Sequence, residues 1–179
     1  MSNRAISAAV VLLSVLVGGC GQQLEPFSPA SADSTIVGSS SFPLAVDPIR
    51  VGRYPGRVKS GAGYFYDEVL EYRVWLHPER GAKPLAGNHD YFVAFAQYER
   101  AAAFAKSSAG SEQPLVLIRQ FEWVNESTPG QYIVEKGDRV TEWRVEWLEG
   151  SRRGPNSISE FLANPRPARD GASLTRPSS

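Results

Sequence analysis

The chain has one cysteine, Cys20, in 179 residues. A single thiol excludes an intrachain disulfide and the small disulfide-stapled folds that depend on one. It also excludes CxxC motifs of redox or zinc chemistry. Net charge is missing as well, because 19 Lys and Arg offset 19 Asp and Glu. A balanced chain exerts no long-range pull on nucleic acid or anionic lipid, so no nucleic-acid partner is expected. Histidine is scarce, with only His77 and His89. No HExxH, Walker loop, Ser-His-Asp motif or internal repeat is present, and neither a metal nor a cofactor is expected. The long apolar run at residues 5–19 stops at about 15 residues, short of the ~20 that a membrane-spanning helix needs.

The setting of that run is informative. Arg4 precedes it, Val17-Gly18-Gly19 closes it, and Cys20-Gly21-Gln22-Gln23 follows. A basic start, an apolar core and small residues at a junction are the parts of an export signal. With Cys20 at the junction, Val17–Cys20 resembles the lipobox of bacterial lipoproteins. The resemblance implies a signal peptide over residues 1–19, cleavage before Cys20 and acylation of its thiol. A plain secretory signal shares the first three features, but a secreted chain seldom keeps one free thiol without a use for it. Acyl chains on Cys20 would attach the chain to a membrane, each buried methylene contributing ~0.8 kcal/mol. The implied address is the bacterial cell envelope, facing the periplasm. Gly21 stands where an aspartate retains lipoproteins at the inner membrane of enteric bacteria, which favours the outer membrane.

Composition divides the rest. Residues 20–48 are rich in Ser, Pro, Ala and Gly without a period of 2 or 3.6, and read as a flexible tether. Residues 164–179, polar and interrupted by proline, read as a disordered tail. Residues 49–163 are left as a single domain of ordinary size.

Within it the periods predict an α+β fold: a sheet of about four strands, one long helix packed on one face, and a short C-terminal helix. Residues 64–76, 114–124, 131–135 and 139–148 are the strand candidates, dense in aromatic and β-branched side chains. In the last, Thr141, Trp143, Val145 and Trp147 alternate with Glu142, Arg144 and Glu146, a strict period of 2. In the first, Leu70 is placed with Tyr72, and Val69 with Trp75. The long helix is expected from Asp90, as N-cap, to about Ser108, with Tyr91, Phe95, Tyr98, Ala102 and Ala105 on one side. As a crossover it would make the first two strands parallel. The later strands would pair antiparallel through a loop at residues 125–130 and a turn at residues 136–138. Ser157 and Glu160 have capping-box spacing, so residues 157–163 are the short helix, which Asn164-Pro165 ends.

Two clusters could carry chemistry. His77, His89 and Asp90 bracket a glycine-containing loop that leads into the expected helix N-terminus, a common setting for ligands. Their spacing fits no defined metal motif. The second is the polar sheet face: Glu71, Arg73, Gln120, Glu122, Glu142, Arg144 and Glu146. Crowded carboxylates can do acid–base work, but a solvated face crossed by weak ion pairs is the commoner outcome. Trp123, Trp143 and Trp147, with Tyr64, Tyr66 and Tyr72, are expected to build the core. Trp75 and Phe65 stand on the polar side, either open to a partner or packed under the C-terminal helix around Phe161.

Residues 63–148 carry the segments GYFYDEVLEYRVW, DYFVAFAQYERAAAFA, PLVLIRQFEWVNE and TEWRVEWL. Together they resemble an uncharacterised proteobacterial family, some members of which are labelled GCN5-related acetyltransferases. The resemblance implies an acyltransferase-like enzyme as the alternative to a non-catalytic binding or accessory domain. Such enzymes hold the CoA pyrophosphate on an Arg/Gln-x-x-Gly-x-Gly/Ala loop between a strand and a helix. The nearest run here, residues 57–63, is one residue longer and precedes a strand. Besides the membrane, reached through Cys20, an envelope protein is the expected partner.

Overall fold

The computed structural model describes residues 41–61, 63–85 and 87–166. The expected signal peptide, Cys20, residues 21–40 of the expected tether and the expected tail from Pro167 onward lie outside them. The described residues form a mixed α+β fold with a five-stranded sheet and two helices. Its strands are β1 (Lys59–Ser60), β2 (Glu68–Leu76), β3 (Tyr91–Phe95), β4 (Leu115–Thr128) and β5 (Gln131–Arg144). The helices are α1 (Tyr98–Ser107) and α2 (Ser157–Ala163). The order across the sheet is β1-β5-β4-β2-β3.

The expected long helix is half strand. Tyr91–Phe95 pairs antiparallel with β2, Phe92 opposite Trp75 and Phe95 opposite Tyr72. The run YFVAF is aromatic and β-branched, and only the alanine-rich stretch from Tyr98 onward is helical. A short apolar run that satisfies both periods is decided by its neighbours, and the edge of β2 supplies a pairing partner. This extra strand also corrects the topology. β2 and β4 are antiparallel, and α1 links β3 to β4, which run parallel on either side of β2.

The last two strands make a long hairpin closed by Pro129-Gly130, with Thr128 opposite Gln131. Proline followed by a glycine at φ 78° suits a type II turn. The loop expected at residues 125–130 is therefore mostly strand. At the expected turn, Lys136–Asp138, the ladder only changes register, between the pairs Gln120–Arg139 and Glu122–Lys136. β5 ends at Arg144, and residues 145–148 wind into a 3-10 turn.

A second register shift changes the faces of β2. Val69 pairs with Ile118 and Glu71 with Leu117, leaving Leu70 as the extra residue. The bulge reverses the alternation, so Val69 joins Tyr72 and Leu70 crosses to the opposite side. The first core, under α1, holds Val69, Tyr72, Val74, Ala101, Val116, Ile118 and Trp143. Phe95, Tyr98, Phe104 and Trp147 pack against it. On the opposite face Leu70 packs with Tyr54 and Leu117. A third cluster lies between the hairpin and α2: Phe65, Val124 and Phe161, with Tyr64, Tyr132 and Ile158. The expected single aromatic core is thus divided, with Tyr66, Tyr72 and Trp143 in the first cluster and Tyr64 in the third.

Residues 41–60 are a strap across the sheet. Ala45 donates its N–H to Ala96 O at 3.0 Å, and Val46 to Val69 O at 2.9 Å. The Tyr72 hydroxyl donates to Pro43 O. Residues 41–48, whose composition reads as tether, therefore carry defined hydrogen bonds to β2 and to the end of β3.

Candidate functional site

The loop after β2 places His77 and Asp90 together. His77 is buried, with its backbone N–H bonded to Gly110 O at 2.9 Å. Its Nδ1 lies 3.0 Å from Asp90 Oδ1, and its Nε2 lies 3.0 Å from Glu112 Oε1. Neither approach is aligned as a hydrogen bond. Glu112 also accepts from Arg80 at 2.9 Å. The two carboxylates meet opposite nitrogens of the ring, so the three groups cannot converge on one ion. Among the described residues no group of three His, Cys, Asp or Glu could hold a metal. His89 is exposed, beside Gly87. The helix N-terminus that this loop was expected to abut is at Tyr98 instead. β3 carries the chain about 16 Å from the loop at ~3.3 Å per residue.

The polar sheet face is buried at its centre. Glu71 and Arg73 are 0% exposed, which overturns the solvated expectation for them. Gln120, also 0% exposed, does not share their face: the register puts it with Ile118 and Thr141 on the opposite side. Arg144 and Glu146 do face solvent, with side chains 60% and 67% exposed. The strap encloses the centre. Gly52 N–H donates to Glu71 Oε2 at 2.6 Å. Arg73 donates to Pro55 O at 2.8 Å and Gly56 O at 3.3 Å, and through Nε to Glu71 Oε1 at 2.7 Å. Its guanidinium lies 4.3 Å from the Phe92 ring centre. Glu142 accepts from Trp75 Nε1 at 3.1 Å and sits 3.7 Å from Arg73 Nη1. Burial pushes the Glu142 carboxyl above its ordinary value, while the Trp75 hydrogen bond and the Arg73 charge oppose that shift. Every arm of this cluster is spent on the fold. Arg73 in particular gives up donors to the backbone that covers it.

A second buried network joins the hairpin to residues 63–65. Gln120 donates to Phe65 O at 2.6 Å and accepts from Arg139 Nε at 2.8 Å. The Arg139 guanidinium lies 4.1 Å from the Trp123 ring centre, and burial pulls its pKa down to about 10. Arg139 stays charged at neutral pH. A Cβ on Gly63 would run into Gln120 Nε2 and Arg139 Nη2, so this position needs glycine for space as well as for its φ of 82°.

An open cleft lies beside α2. Of about 610 Å³, it runs between Tyr64-Phe65 and that helix, with Phe161, Glu160, Asn164 and Arg166 along it. Its wall is a set of crossed rings. Tyr64 and Phe161 have centres 4.5 Å apart, Phe65 and Phe161 5.8 Å, and Tyr132 and Phe161 5.1 Å. The Tyr64 hydroxyl is committed to Glu126, so the residue can offer the cleft its ring. Burial, then the Glu126 carboxylate, raise the Tyr64 pKa well above the usual phenol range. The Glu160 and Arg166 side chains form no ion pair among the described residues. No family model, curated protein or solved structure matches this chain. The cleft therefore stands on its own geometry.

None of the residues singled out as ligand-binding lines this cleft, and His77 and Asp90 meet elsewhere. The packing of Phe65 against Phe161 was legible as one of two outcomes, and α2 spans the expected residues. Its cap differs: Ser157 Oγ accepts from Gly154 N–H at 2.8 Å, outside a capping box. The cleft itself was missed because Tyr64 and Phe161 are far apart in sequence, and no local pattern records their meeting.

Proposed function

We propose that this chain is a membrane-tethered lipoprotein of the bacterial cell envelope, acting as a non-catalytic binding or accessory module. The layout Arg4, apolar run, Val17–Cys20 carries the address. Among the described residues no helix is long and apolar enough to cross a membrane. The binding role is supported by where the polar groups go. Glu71 and Arg73, at the centre of the sheet face, are closed under the strap, whereas the aromatic cleft is open. The loop at residues 57–63 leads toward β2 instead of a helix, so it offers no helix N-terminus to a CoA pyrophosphate. The test is acylation. The wild-type chain should take up a labelled fatty acid at Cys20 and begin there when mature, and Cys20→Ala should accumulate as an unlabelled precursor. An unlabelled wild-type chain whose mature N-terminus lies elsewhere overturns the reading.

A further inference from the structure

We infer that the cleft between Tyr64 and α2 binds a carbohydrate: an uncharged oligosaccharide that lays a ring on the Tyr64–Phe161 wall and hydrogen-bonds to Glu160, Asn164 and Arg166. This names a ligand class for the binding module proposed above and rests on that reading. Four observations converge. The volume, about 610 Å³, lies within the range of about 300–1,000 Å³ typical of small-molecule sites. Its aromatic wall is rigid, because Phe161 is held by three other rings and the Tyr64 hydroxyl is fixed on Glu126. A rigid ring presents area at little entropic cost, and the C–H face of a pyranose is the apolar face that suits it. The polar side chains are one carboxylate, one amide, one guanidinium and the hydroxyls of Ser151 and Ser157. Their charges cancel, so the cleft selects neither an anion nor a cation, while planar two-atom groups suit paired hydroxyls. Finally, Glu160 and Arg166 are both exposed and line the cleft, and neither forms an ion pair among the described residues. A fatty acyl chain would bond none of these groups, and a phosphate would face Glu160.

The probes are the N-acetylglucosamine tetramer, cellotetraose and maltotetraose, with a mixed tryptic peptide digest as the competing class. Saturation-transfer NMR on the full chain in detergent should show transfer to the ring protons of at least one oligosaccharide. Titration should then show that Glu160→Ala and Arg166→Ala each weaken that glycan by roughly 10-fold or more, the scale for hydrogen bonds to charged groups. Both positions are exposed, so neither change should move the melting temperature. Arg144→Ala, exposed and away from the cleft, should bind as wild type does. The inference is overturned if no glycan shows transfer, if the Glu160→Ala/Arg166→Ala double variant binds undiminished, or if only peptides bind. Glycan binding by a chain that is not acylated at Cys20 would uphold this site and sink the tether instead. Acylation without glycan binding would do the reverse.

Discussion

Arg73 shows how a charge can be enclosed when every donor has a use. It bonds Glu71, two strap carbonyls and the face of Phe92, and it is 0% exposed. Removing one member of a buried pair leaves the other uncompensated, so Arg73→Met should cost roughly 3–5 kcal/mol in urea unfolding. Glu142 behaves differently because burial dominates its environment. A carboxyl with a raised value binds its proton more tightly in the fold than in the unfolded chain. The resulting stability is fully present below the ordinary value near 4.5 and is lost as pH rises through the raised one. Glu142→Gln keeps an acceptor for Trp75. It should flatten that decline and leave the protein at least as stable at pH 7, measured by unfolding at pH 4.5, 6 and 8. Glu126 has the opposite sign, since the Tyr64 hydroxyl and then the Gly130 N–H lower its value. Its contribution is lost as pH falls. Alternation in the sequence did place Glu71, Arg73 and Glu142 on one face. It could not show that face to be covered, because the covering strap is rich in proline and glycine and has no period of its own.

At the level of elements, a pattern was legible where it was long and local. The three longest strands, β2, β4 and β5, were foreseen in part, β5 as two separate pieces and with Trp143 turned inward and Arg144 outward. Trp143→Ala should cost roughly 3–5 kcal/mol, the range for a large aromatic removed from a core, as read by denaturant midpoint at unchanged slope. Patterns failed where one residue or one neighbour decides. The bulge at Leu70 reverses the faces of β2, and a single inserted residue has no periodic signature. Tyr91–Phe95 fits a helix face as well as a strand, and only the open edge of β2 settles it. Gly110 illustrates a third kind of event. It lies just beyond α1 and packs against the loop after β2. At φ 68° a Cβ there would run into Ala82 N and His77 O. Gly110→Ala should therefore cost at least the roughly 1–3 kcal/mol of a disfavoured backbone conformation. It should also expose His77, which proton exchange at the ring or a His-directed reagent would report.

For the whole molecule, the strap closes the fold. Its backbone bonds to β2 and β3, and the groups it covers are the most polar part of the interior. A chain beginning at Ser41 should unfold cooperatively at the same temperature as the full chain. One beginning at Lys59 would bare Glu71 and Arg73 and lose Tyr54 from its core, and it should show no cooperative thermal transition by circular dichroism. Should the shorter chain melt like the longer one, the strap would be a passenger. That residues 41–48 bond to the sheet was not legible, because composition alone cannot distinguish an irregular segment that binds a sheet from one that binds nothing.

The strap also decides how the protein meets a pull from its N-terminal side. Load entering at Ser41 reaches the Ser41–Glu99 and Phe42–Tyr98 contacts first, then those of Pro43, Ala45 and Val46, and only after them the bonds of Gly52, Pro55 and Gly56 to Glu71 and Arg73. These contacts lie in sequence along the chain, so they would open one after another, like a zip fastener. Peeling of this kind yields at lower force than shearing two long strands past one another. The sheet, whose long hairpin lies further along the chain, would be spared until the strap had come away.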